Sequence, residues 1–188
     1  MIKNQITFVL LVIALLSCDS GNHTRTYHLP KGKNKSFIQP AVENKKESSG
    51  FTWEKPDLWI PTEGSSMRLA SFEVPYSTGS GDLSIMELGG NGGGLEANVN
   101  RWRGQIDLNP LTKLEIETEA ENGISDLGNY QLFLLINLEK KETAFLAAIF
   151  PLGNRTLFIK LTASAEGILE IEKDFKDFCS SMKFENDI

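Results

Sequence analysis

The chain reads as an α+β protein, one antiparallel β-sheet packed by helices. Three observations predict it. The C-terminal half holds three apolar or alternating runs, 130–138, 143–150 and 156–162, joined by short turns. Strands joined so closely must be antiparallel neighbours, because a parallel pair needs a long crossover. Ile168, Ile171, Phe175, Phe178 and Met182 then recur at spacings of 3, 4, 3 and 4, one apolar helical stripe facing the sheet. Leu95, Val99, Trp102 and Ile106 recur at 4, 3 and 4 and predict a second such helix.

Taken in order, residues 51–54 alternate apolar and polar and predict a short strand, closed by the turn Lys55-Pro56-Asp57 before Trp59. Residues 67–74 predict the next strand, with Ala70, Phe72 and Val74 on one face and Pro75 as its end; 76–81 are turn material rich in Ser and Gly. In 82–88, Leu83 and Ile85 share one face, Met86 and Leu88 the other. The run 130–138 is apolar on both faces, as suits a central strand, and so is 143–150. Leu157, Ile159 and Leu161 face inward and Lys160 outward. Ser164 is the expected N-cap of the last helix, with Glu166 in its first turn. Cys179 borders the apolar stripe and reads as a small buried residue.

The stretch 89–94, Gly-Gly-Asn-Gly-Gly-Gly, enters the helix that begins near Leu95. Gly104 is awkward inside that helix and is a candidate for the residue just past its end, after Arg103. Strand, glycine loop and helix N-terminus together resemble phosphate-binding turns, but the detail departs from them. A P-loop ends in Gly-Lys-Ser/Thr, where this chain has Gly-Gly-Leu. Counted from Gly90, the sixth position of a dinucleotide motif is Leu95; counted from Gly89, the third is Asn91. The expected role is therefore a strand-to-helix connection with several positive-φ residues. An anion site and a partner-binding loop remain alternatives, with Asn91, Asn98, Arg101 and Arg103 as the candidate ligand- or partner-binding residues.

The first residues bear on compartment. Lys3 and the apolar run 6–16 have the form of a signal peptide too short to span a bilayer. Leu15-Leu16-Ser17-Cys18 resembles the lipobox of bacterial lipoproteins, which implies cleavage before Cys18 and lipidation there. The expected organisation is a signal peptide over 1–17, a lipidated cysteine and basic flexible tether over 18–50, and one globular domain over 51–188. Such a tether reaches roughly 30 Å root-mean-square. It carries six Lys/Arg against three Asp/Glu, so its lysines are suited to lie on anionic lipid. From residue 51 onward there are 12 basic and 22 acidic residues, which argues against a nucleic-acid partner.

Catalytic sets are scarce. The histidines are His23 and His28, both in the tether, so no Ser–His–Asp or Cys–His site can form within 51–188. Cys/His zinc patterns and Asp-rich calcium loops are absent from the sequence, and neither a metal nor a cofactor is expected. Glu115, Glu117, Glu119 and Glu121 alternate with small and apolar residues and read as a solvated strand or helix face. Trp53, Trp59 and Trp102 could stack on sugars or on a partner; Trp102 and Trp59 are assigned to the core.

The pattern Trp53-x-x-Pro56-x-x-Trp59, followed by antiparallel strands, Phe158-Ile159-Lys160-Leu161-Thr162 and Phe175-x-x-Phe178-x-x-Ser181-Met182, resembles the PsbP-like domains over roughly 51–184. These include an extrinsic photosystem II subunit and small bacterial lipoproteins. The run 97–105 is similar to one in bacterial exported proteins. The resemblance implies an α/β/α sandwich and an accessory or assembly role in place of enzymatic activity. The metal-binding features discussed for some photosystem members are not present here, so no calcium or manganese function is carried over. The expected function is that of a lipid-anchored accessory or binding module on the extracytoplasmic, periplasmic face of a bacterial membrane, touching another envelope protein. The alternative is a binder of a small anionic ligand through the loop 89–94 and its adjacent arginines.

Overall fold

A computed structural model describes residues 50–185. The expected signal peptide, Cys18 and most of the tether lie outside the described residues. Among the described residues nine strands and three helices follow in order: β1 Phe51–Thr52, β2 Ile60–Pro61, β3 Arg68–Tyr76, β4 Gly79–Gly89, α1 Leu95–Gln105, α2 Lys113–Glu119, β5 Glu121–Ser125, β6 Gly128–Ile136, β7 Ala144–Pro151, β8 Arg155–Ala163, α3 Ala165–Ser180 and β9 Lys183–Phe184. Seven strands form one sheet in the order β2-β3-β4-β8-β7-β6-β5, and every neighbouring pair is antiparallel. β1 and β9 make a separate two-stranded sheet.

The sheet is covered on both faces. Ile168, Ile171, Phe175 and Phe178 of α3 pack on Leu83, Ile85, Leu146, Leu157, Ile159 and Leu161. Val99, Trp102 and Ile106 of the α1 region and Ile116 of α2 pack on Phe133, Phe145, Ala147, Ile149 and Phe158. β7 is buried from Ala144 through Phe150, one parity in each core, which accounts for its unbroken apolar run. The α+β class is thus observed, as an antiparallel sheet between two helical layers.

Several local expectations are corrected. The strand predicted over 51–54 is only Phe51–Thr52, because Trp53 turns to pack edge-on against Phe72. Pro75 does not end β3, which continues to Tyr76 and pairs Pro75 with Ser80. β2 reaches only Glu73 and Phe72, so proline's missing N–H falls where the outer side of β3 has no strand neighbour among the described residues. Gly104 lies inside α1, which runs to Gln105; burial of Ile106 carries the chain past it. The left-handed residue after the helix is Asp107, at φ 56°. Lys160 does not face open water, because α1 covers that side of β8.

The glutamate run divides. Thr112 caps α2 by accepting from Glu115 N, while the Glu115 carboxylate accepts from Thr112 N at 2.8 Å. The Thr112 hydroxyl also donates to that carboxylate, at 2.7 Å; this bond first, and the Thr112 N–H bond second, favour the ionised form and hold the Glu115 carboxyl below its usual range. Glu121 instead begins the edge strand β5. At the far end of the sheet the Arg155 guanidinium lies 5.0 Å from the Phe51 ring and 5.9 Å from the Phe184 ring while bonding Glu87 at 3.2 Å, so it pins the small sheet to the large one.

Candidate functional site

The loop after β4 is held by its own backbone. Gly90 N donates to Asn154 O at 2.7 Å, and Gly90 O accepts from Thr156 Oγ1 at 2.9 Å. Gly90, Gly92, Gly93 and Gly94 all have positive φ, as the sequence reading expects. At Gly92 the constraint is double. Its φ is +60°, and a Cβ there would meet two carbons of the buried Phe158 ring at 2.5 Å. Gly92→Ala is therefore expected to destabilise the protein by about 1–3 kcal/mol, read as a lowered urea midpoint. Gly89→Ala, where a Cβ meets nothing within 4 Å, is the comparison and is expected to cost little.

The polar face of α1 braces the fold. Asn98 is buried; its amide donates to Gly92 O at 2.9 Å and Gly94 O at 2.7 Å, and its Oδ1 accepts from Arg101 at 2.6 Å. Asn100 makes a reciprocal pair of 2.8 Å bonds with the Leu111 backbone. Arg103 donates from Nε to Asn109 O at 2.8 Å and lies 3.5 Å from Glu119. Asn137 at the end of β6, which the sequence reading did not single out, donates to Ile106 O at 2.8 Å and fixes the far end of the helix. Asn91 Oδ1 accepts from Gly93 N at 3.2 Å.

Of the four candidate residues, Asn91, Asn98 and Arg101 fall along one hydrogen-bonded path from the loop onto α1. Arg103 points to the α1–α2 connection. Arg101 is exposed, with Asn98 as its bonding partner. A cleft of about 620 Å³ opens at the start of α1, lined by Asn91, Gly93, Leu95, Glu96, Asn100 and Lys113. Gly94 caps this helix without a side-chain bond. Arg101 and Arg103 do not line the cleft.

On the sheet beneath α1, Lys160 Nζ lies 3.7 Å from the Phe145 centroid and 5.9 Å from that of Trp102, and donates to Gln105 Oε1 at 3.0 Å. Burial, then repulsion by Arg101, lowers its pKa from 10.5 to about 8, with Asp82 opposing and Arg68 adding to the fall. The folded state thus holds this proton less tightly than the unfolded chain. The resulting cost is full below pH 8, fades between pH 8 and 10.5, and is gone above. After allowance for solvent screening it amounts to about 1–2 kcal/mol. Denaturation of wild type and Lys160→Met across this range is expected to show the variant's advantage shrinking as pH rises. A constant gap would mean the amine titrates normally.

Cys179 is buried, and burial pushes its thiol well above the ordinary value. Among the described residues no cluster of three or more His, Cys, Asp or Glu side chains is placed to hold a metal. The geometry defines a compact α/β/α domain with a glycine-looped helix laid across an antiparallel sheet.

No protein-family model matches this chain, and no curated protein matches it. Among solved structures, it is similar to a crystal structure of a protein from Bacteroides thetaiotaomicron VPI-5482, at 14% identity and TM-score 0.42, over 73% of this chain and 46% of the other. The chain thus spans under half the length of that protein. It is also similar to the solution structure of cyanobacterial PsbP (CyanoP) from Synechocystis sp. PCC 6803, at 14% identity and TM-score 0.48, over 73% of this chain and 88% of that one. The second is a PsbP protein, the family whose pattern the sequence resembles. Both are likenesses of backbone arrangement, and neither assigns this chain a function.

Proposed function

We propose that this chain is a lipid-anchored extracytoplasmic accessory module of a bacterial envelope, non-enzymatic, acting by contact with another envelope protein. The lipobox-like Cys18 and the long basic segment after it support the anchor. One observation supports contact above the rest. At the β2 edge of the sheet a cleft of about 680 Å³, lined by residues including Trp53, Lys55, Glu63, Arg68 and Phe72, lies beside chain segments with three exposed apolar side chains. These are Leu58, Ile60 and Met67, at 76%, 52% and 65% exposure. Apolar groups gathered at a rim mark interaction surfaces more often than those scattered singly. A photocrosslinking residue at Met67 of the full-length chain in living cells is expected to yield a discrete protein adduct. No adduct from Met67 or from Asn91 would overturn the reading.

The second reading is a binder of a small anionic ligand through the loop 89–94 and its adjacent arginines. It draws support from Arg101, which is exposed and lacks a carboxylate partner among the described residues, and from the Lys113-lined cleft at the start of α1.

A further inference from the structure

We propose that a small oxyanion, a phosphate or carboxylate group, binds between α1 and the β3–β4 side of the sheet, held by Arg101 and Lys160. The proposal keeps the anionic ligand and Arg101 of the second reading and replaces the glycine loop and the Lys113-lined cleft with the sheet as the binding site.

Strand register builds the floor. Ser71 of β3 pairs with Ser84 of β4, which pairs with Lys160 of β8, so their side chains share one row and one face. Helices α1 and α2 bury that face over β6, β7 and β8. β3 contributes nothing to that core, and β4 contributes only the half-buried Leu88. Glu73 and Asp82 on the same face are exposed. The row therefore lies along the flank of α1 that carries Arg101 and Gln105.

Basic side chains gather here although the domain as a whole is acidic. From residue 51 onward acids outnumber bases by 22 to 12. Yet Gln105, which accepts from Lys160 at 3.0 Å, lies one helical turn from Arg101, and Arg68 donates to Ser71 of the same row at 3.3 Å, so that Arg101 and Arg68 repel the Lys160 charge while Asp82 offsets part of it. Asp82 is already held by Arg68 in a two-pronged pair at 2.9 Å. Neither Arg101 nor Lys160 has a carboxylate partner among the described residues; they bond Asn98 and Gln105 amide oxygens instead. An oxyanion between them would relieve the repulsion and accept from both, with the arginine fork suited to two oxygens. The floor can contribute as well. Ser84 is 7% exposed, and its hydroxyl donates to Lys160 O only at 3.4 Å, a long bond that a better acceptor would displace.

The test is thermal unfolding of the full-length chain in detergent, titrated with inorganic phosphate and with malonate against chloride at matched ionic strength. A saturable rise in Tm is expected. Arg101→Gln and Lys160→Met should each weaken binding about tenfold or more, with Lys113→Met and Asn91→Ala unchanged. Because Arg101 bonds the buried Asn98, the Tm of each variant without added anion is compared with wild type, which separates lost fold from lost binding. Binding lost in Lys113→Met and Asn91→Ala but kept in Lys160→Met would overturn this site and retain the glycine-loop reading. No saturable effect in wild type would overturn both. Flotation of the Cys18→Ala chain with phosphatidylglycerol vesicles separates the sources. Capture that depends on Arg101 and Lys160 makes the oxyanion a lipid headgroup; phosphate binding without capture makes it a free solute.

Discussion

Trp102→Ala is expected to destabilise the protein by about 3–5 kcal/mol, the range for truncating a large buried aromatic residue. Trp102 is 5% exposed and meets Phe158 edge to face at 6.3 Å between centroids. It is the largest side chain joining α1 to the sheet, in a core that also takes Val99, Ile106 and Ile116. Truncation would leave a cavity over Phe158 and open Lys160 to water. The measurement is a urea midpoint at pH 7, with Leu169→Ala, a 58% exposed position, as a comparison expected to fall within about 0.5 kcal/mol of wild type. An unchanged midpoint for Trp102→Ala would mean that α1 does not hold the sheet.

Phe178→Ala should cost a similar amount, about 3–5 kcal/mol, through the opposite core. Phe178 is 1% exposed and lies 5.0 Å from Trp59, 6.1 Å from Phe72 and 6.2 Å from Trp53, measured between ring centroids. It joins the end of α3 to the segment 51–61, which has little regular structure of its own. Part of the loss should therefore appear locally. Tryptophan emission from Trp53 and Trp59 is expected to shift to the red in the native baseline before global unfolding. A variant that loses midpoint without that shift would place the rearrangement elsewhere. Since Trp102 and Phe178 sit in separate cores, their costs should add to within about 0.5 kcal/mol in the double variant.

Much of the fold was readable from periodicity. The stripe from Ile168 to Met182 is buried as its spacing requires, and so are Val99, Trp102 and Ile106 of the other stripe, whose first member Leu95 is half-buried. The three C-terminal strands are neighbours as their short turns require. One signal was present and passed over: Thr112-Lys113-Leu114-Glu115 is a capping-box pattern, and it starts α2. Other elements left no signal. β5 is the polar stretch Glu-Asn-Gly-Ile-Ser, with Ile124 74% exposed, and is a strand because β6 offers it a ladder. β2 and β9, at two residues each, exist only through their partners.

The candidate site divides the same way. That the glycine stretch would need positive φ follows from composition, since only glycine adopts such angles freely. Which polar residues of α1 remain available does not. Asn98, Asn100 and Arg103 sit on the side of the helix away from its apolar stripe and read as solvent-facing, yet each holds a backbone group of a neighbouring loop.

By itself the sequence determined the fold class, the two helical stripes, and the absence of histidine chemistry from residue 51 onward, because hydrophobic period and residue inventory are properties of the chain alone. The tertiary structure decided that β4 lies beside β8, that Lys160 is enclosed by Phe145 and Trp102, and that its nearest charges are Arg101, Asp82 and Arg68. A side chain's partners and a lysine's proton affinity depend on groups brought near by packing from distant parts of the chain, and local spacing carries no record of them.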